Sequence, residues 1–157
     1  MKNRELERLL WCVAFPGFGQ FLNRKYFKGI VLLVLEFLIN IRSSMNEVII
    51  HSFRGDVEKA IQTTDFEWLM FYPCVYMFAI WDAYKDAGGG TPPLSFLPFV
   101  IAAFFGTIGV IYSTDVRIAG FLLGPVWLPL LSFFAGICIG KILQKLIKVE
   151  DPDKSSA

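Results

Sequence analysis

Two carboxylates lie inside apolar stretches of this chain, and each has a polar companion four residues away. Glu36 and Asn40 share one helical face, because residues four apart stack along a helix. An ionisable group in the middle of an apolar helix is costly. It is by default a functional candidate, as a helix-joining hydrogen bond or as part of an ion or proton path. Asp82 and Asp86 repeat the spacing within Trp81-Asp82-Ala83-Tyr84-Lys85-Asp86. Two carboxylates invite comparison with an acid–base pair, but no base or nucleophile accompanies them. Lys85 or the basic trio Arg24, Lys25 and Lys28 is the expected partner of Asp82. The bonding expected of Glu36 is to Asn40, Gln20 or a tyrosine, which would join helices.

Other chemistry finds little material. The single histidine, His51, leaves little for proton transfer near neutral pH. Cys12, Cys74 and Cys138 are far apart in apolar segments with no CxxC, so no metal site is expected and the thiols read as buried or lipid-facing. HExxH, GxSxG and phosphate-binding loops are absent from the sequence. No catalytic residue and no cofactor is expected. The net charge of +1 lacks the basic excess of a nucleic-acid binder.

The elements that hold these residues are apolar. Of 157 residues, 55% are hydrophobic and 18% charged. Leu94–Thr114 and Ile118–Gly140 contain no charged residue. Each is long enough to cross ~30 Å of hydrocarbon at ~1.5 Å per residue. The fold class expected is all-α: a polytopic membrane bundle of about four transmembrane helices plus an N-terminal re-entrant or interfacial hairpin. Residues 1–149 form a single membrane domain. It comprises the hairpin at 5–42, an amphipathic extracytoplasmic region at 43–66, and spans at 67–85, 94–113 and 118–140. A polar tail follows at 150–157. Gly55-Asp56 divides the amphipathic region into two short helices. Thr64-Asp65-Phe66-Glu67 has the capping-box pattern, with the Thr64 hydroxyl as cap.

The hairpin is read from AFPGFGQFLNRKYFKG, residues 14–29. Pro16, Gly17 and Gly19 break the first apolar helix, and Gln20 and Asn23 are placed to satisfy the opened backbone. Charge bias supports a turn back. If residues 5–22 span fully, eight of the fifteen Lys and Arg fall on the cytoplasmic side, which is no bias. If they return to the same side, Lys2, Arg4 and Arg8 join them. The count is then eleven inside against Arg42, Arg54, Lys59 and Arg117 outside. Both termini are then cytoplasmic. Gly120-x-x-x-Gly124 and Gly136-x-x-x-Gly140 are expected to let helix backbones approach closely.

Pro16-Gly17-Phe18-Gly19-Gln20-Phe21-Leu22-Asn23, followed by Lys28-Gly29-Ile30, resembles the pattern of bacterial TM2-domain-like membrane proteins. The likeness covers about residues 8–42. The Asp-Arg-Phe triplet of the animal-type members is missing; Asn23-Arg24-Lys25-Tyr26 stands near its place. The chain also continues through three more apolar segments. The resemblance implies a bacterial cytoplasmic-membrane protein with a structural or partner-binding role. The lipid bilayer and other membrane proteins, or a second copy, are the expected partners. A homo-oligomeric channel or small transporter using Glu36 and Asn40 is the alternative; a membrane enzyme is the third reading.

Overall fold

The structure, a computed structural model, describes residues 3–147 and is mostly helical. The predicted tail at 150–157, and Lys2, Lys148 and Lys154 of the charge count, lie outside the described residues.

The chain starts as two helices, α1 (Asn3–Ala14) and α2 (Phe18–Leu22), separated at Pro16-Gly17. Gly17 takes φ 101°, a left-handed conformation that costs glycine little. α2 folds back along α1: a Cβ built on Gly19 would lie 2.6 Å from the Arg8 carbonyl oxygen. In one continuous helix residues 8 and 19 would stand about 16 Å apart. The segment is therefore a helical hairpin and not a kinked rod.

α3 (Tyr26–Ser43) ends at Ser44, whose φ of 57° redirects the chain into α4 (Met45–Phe53). Gly55, at φ 81°, separates α4 from α5 (Val57–Thr63), the division expected within the amphipathic region. These two helices cover the start of the last helix. There the Trp127 indole N–H donates to the Ser52 carbonyl at 3.3 Å, and the Phe53 and Trp127 rings are 4.7 Å apart.

The predicted segment 67–85 is two helices, α6 (Phe66–Leu69) and α7 (Tyr72–Tyr84). Pro73 is the reason. It has no N–H to give, and its ring would clash with the carbonyl four residues back, so it starts a helix well and continues one badly. The capping residue also differs. The Asp65 carboxylate, and not the Thr64 hydroxyl, accepts from the Trp68 N–H, while Thr64 bonds back to the Ala60 carbonyl. α7 runs into a wider turn at Lys85–Gly89, kinked at Gly88, whose φ is 109°.

α8 (Leu97–Ile111) runs antiparallel to α9 (Gly124–Leu146). Gly136 lies against the Ala102 backbone and Gly140 against Pro98. Gly109 lies against Pro129, so bare backbone meets bare backbone along the pair. Gly120-x-x-x-Gly124 is different, and the expectation for it is corrected. Residues 117–122 form a two-stranded hairpin, β1 (Arg117–Ile118) and β2 (Phe121–Leu122), in which Ile118 pairs with Phe121. Its turn, Ala119-Gly120, has positive φ at both residues, the requirement of a tight hairpin turn. Gly120 has nothing near it, and Gly124 opens α9 against Val57. The helix expected over 118–140 therefore runs from Gly124 to Leu146 instead.

Among the described residues α9, with 23 residues, is the helix long and apolar enough to cross a membrane; α8 is apolar but has 15. The core gathers Cys12 of α1, Met77, Ile80 and Ala83 of α7, and Ala102 of α8.

Candidate functional site

Three polar residues of the 14–29 stretch converge on the end of α7. Gln20 is fully buried, and its amide nitrogen donates to the Ala79 carbonyl at 2.8 Å and to Asp82 Oδ2 at 3.2 Å. Its amide oxygen accepts from the Cys12 thiol at 3.2 Å. Asn23 donates to the Ala83 carbonyl at 2.8 Å. The Lys28 ammonium reaches Asp82 Oδ1 at 2.6 Å and Asp86 Oδ2 at 3.0 Å. Asp82 is 5% exposed, so its charge is met by one cation and one amide inside the protein.

Gln20 and Asn23 thus do not serve the break they follow, as the sequence suggests. They serve the last two turns of α7. Their amides reach main-chain carbonyls of another helix, Ala79 and Ala83, one turn apart on α7. The glycines complete the joint. A Cβ on Gly19 would lie 2.6 Å from Cys12 Sγ and 2.7 Å from the Ala83 Cβ. One on Gly17 would lie 2.8 Å from the Gly29 carbonyl oxygen, and one on Gly29 would lie 2.9 Å from the Phe21 ring. Pro16 is buried at the bend. Pro16, Gly17, Gly19, Gln20, Asn23, Lys28 and Gly29 therefore act together: glycines allow close approach, and polar side chains fix the register on α7.

The target on α7 escapes a search for glycine spacing. Ala79 and Ala83 are small, four apart and fully buried. Small residues at that spacing are the available signal for a helix that accepts another backbone closely.

Glu36 and Asn40 do not act on each other. The Tyr72 hydroxyl donates to Glu36 Oε1 at 3.3 Å, which joins α3 to α7. Asn40 donates to Asn46 Oδ1 at 3.3 Å, across the α3–α4 turn. Glu36 is 6% exposed, and its Oε2 has no hydrogen-bond partner. Asp82 and Asp86, the possible carboxylate pair, both spend an oxygen on Lys28. Lys85 instead lies over the Trp81 ring at 4.9 Å. Among the described residues no three His, Cys, Asp or Glu side chains gather where they could hold a metal ion.

Charge is sorted between the two ends of the bundle. Lys28 meets Asp82 and Asp86 at one end, and Gln144 donates to the Pro93 carbonyl there. Glu5 of α1 approaches Gly88 at the same end. Arg4, Arg8, Arg24, Lys25, Lys28, Lys85, Lys141 and Lys145 belong to it. Arg42, which stacks on Trp68 at 5.1 Å, belongs to the opposite end with Arg54, Lys59 and Arg117.

Comparison with protein-family models, curated proteins and solved structures finds no match. The fold and the joint define a helical bundle whose N-terminal hairpin is keyed onto its central helix.

Proposed function

We propose that the chain is a non-catalytic integral membrane protein, a TM2-like hairpin extended by further spans, that acts as a subunit or binding partner in a membrane assembly. The carrying observation is that Gln20, Asn23 and Lys28 of the 14–29 stretch bond to α7 and the turn after it, docking the hairpin there. A reactive site needs an acid, base or nucleophile left to meet a substrate; here the buried amide and carboxylate, Gln20 and Asp82, hold the bundle together.

The membrane placement rests on α9, on the apolar α8 and on large side chains that face outward. Phe27 is 81% exposed and Phe104 64%, with Phe134 and Ile142 also exposed. Outward phenylalanines in this number need lipid or protein to cover them. In this reading α3, α6–α7, α8 and α9 are four spans. The charge-rich end lies in the cytoplasm, as basic residues accumulate on that side. The hairpin enters and leaves there, with its bend covered by α3 and α7, since bare backbone in lipid costs several kcal/mol.

Orientation is testable by single-cysteine labelling in a background without Cys12, Cys74 and Cys138. Positions next to Lys2, Lys25, Lys85 and Lys154 should react from the cytoplasm, and those next to Lys59 and Arg117 from outside. External labelling at Lys2, with Lys25 protected, would turn the hairpin into a crossing and remove the four-span reading.

A second reading, an oligomeric channel, is favoured by one atom. Glu36 Oε2 is buried without a partner. Affinity purification from native membranes in mild detergent tests the two together with liposome flux. The subunit reading expects a stoichiometric membrane partner and no ion leak, and Glu36→Gln should preserve assembly because an amide still bonds Tyr72. A leak through the purified oligomer that Glu36→Gln removes would establish the channel instead.

A further inference from the structure

α3 and α7 touch through polar groups at two levels, with Leu32 buried between them. At one level Lys28 holds Asp82 and Asp86; at the other Tyr72 holds Glu36. The levels are eight residues apart on α3, about 12 Å of helix. Alongside that contact, from one level to the other, runs an open groove of about 450 Å³, floored by Leu32 and walled by Val31, Leu35, Val75 and Phe78. Its charged lining groups, Lys28 and Asp82, stand together at one end.

We propose that this groove holds one acyl chain of an anionic phospholipid, with the phosphate at the Lys28 end. The proposal rests on the membrane placement argued above. Shape selects the occupant. The two ties and the buried Leu32 hold α3 and α7 together, so the groove beside their contact does not widen to seat a third helix, which is ~10 Å wide with its side chains. A slender unbranched chain enters such a groove from the side. Charge selects the headgroup. Lys28 spends two of its three N–H donors on Asp82 and Asp86, and its side chain stays 45% exposed. Arg24 and Lys25, within a turn of it, are exposed and make no ion pair among the described residues. Asp82 and Asp86 offset only part of the charge of Lys28, Arg24, Lys25 and Lys85. The surplus is positive, which suits a headgroup of net negative charge.

The test is native mass spectrometry of the full chain, purified in mild detergent and equilibrated with equal amounts of phosphatidylglycerol and phosphatidylcholine. Wild type should retain one phosphatidylglycerol, preferred roughly fivefold or more. Val31→Trp should fill the groove and lose the bound lipid while melting like wild type; Val75→Phe repeats the test from the other wall. Arg24→Gln with Lys25→Gln should keep a bound lipid and lose the preference. Three results would each overturn the proposal: a folded wild type that retains no lipid, equal retention of the two lipids, or grooves filled by both variants with retention unchanged. Cysteine labelling reports membrane placement separately, so loss of the lipid site and loss of that placement are distinguishable.

Discussion

Gly19→Leu should remove most of the folded protein from membranes, about tenfold relative to wild type, while Leu33→Ala should leave the bulk of it in place. The difference follows from what each side chain would meet. Even the first carbon added at Gly19 falls 2.6 Å from a main-chain oxygen of α1, 2.6 Å from Cys12 Sγ and 2.7 Å from the Ala83 Cβ. Overpacking costs ~1–3 kcal/mol where side chains can yield, and more where backbone must move. Backbone must move here, because Arg8 lies within α1 and Ala83 within α7. A loss of 1–2 kcal/mol already changes cellular abundance several-fold. Leu33 is half-buried, so trimming it removes part of one apolar contact. Cys12→Ala should not rescue Gly19→Leu, since the Arg8 oxygen and the Ala83 methyl remain. Membrane-fraction immunoblotting with a folded-state protease assay decides the matter. Equal accumulation of the two variants would mean that α2 does not lie against α1 and α7.

The parts of the fold that sequence makes legible are those written in local backbone chemistry. Pro16-Gly17 forces a break wherever it stands, and Gly55 does the same between α4 and α5. The start of α9 is not legible. Ile118–Leu123 carries no polar residue to punctuate it, and Ala119-Gly120 looks like any small pair within an apolar helix. Only the pairing of Ile118 with Phe121 reveals the turn. Pro73 is the converse case. Its effect is predictable, but an apolar run from Trp68 onward conceals it when length is the criterion.

The site divides in the same way. Gln20, Asn23 and Lys28 stand out because amides and cations among apolar residues need partners. Two of those partners are main-chain carbonyls about sixty residues away, at Ala79 and Ala83. A carbonyl has no residue type, so nothing in the sequence marks which one receives the bond. The charge of Asp82 does predict a basic partner, and Lys28 of the trio fills that role. For Glu36 a tyrosine is among the expected partners, and Tyr72 is the one bonded. The shared face of Glu36 and Asn40 misleads, because a left-handed Ser44 turns α4 back and gives Asn40 its own neighbour in Asn46.

Lys28→Met should destabilise the bundle by about 2–3 kcal/mol, and adding Asp82→Asn should restore most of it. Removing the cation leaves a carboxylate at 5% exposure with one amide for company. Breaking a fully buried pair this way costs ~3–5 kcal/mol. The Lys28 side chain is 45% exposed, so solvent at that end reduces the figure. Asparagine at 82 removes the charge and keeps an oxygen for the Gln20 amide. The single Asp82→Asn change should be mild, because Lys28 keeps Asp86 and water. The expected order of unfolding temperature in detergent, followed by tryptophan fluorescence, is wild type, then Asp82→Asn and the double variant close together, then Lys28→Met lowest. That asymmetry is the signature of a buried carboxylate held by a half-exposed lysine: removing the lysine strands a charge, and removing the charge strands nothing. A double variant as unstable as the sum of the two single changes would show that the two side chains act independently, and the joint between hairpin and α7 would then rest on its glycines and amides alone.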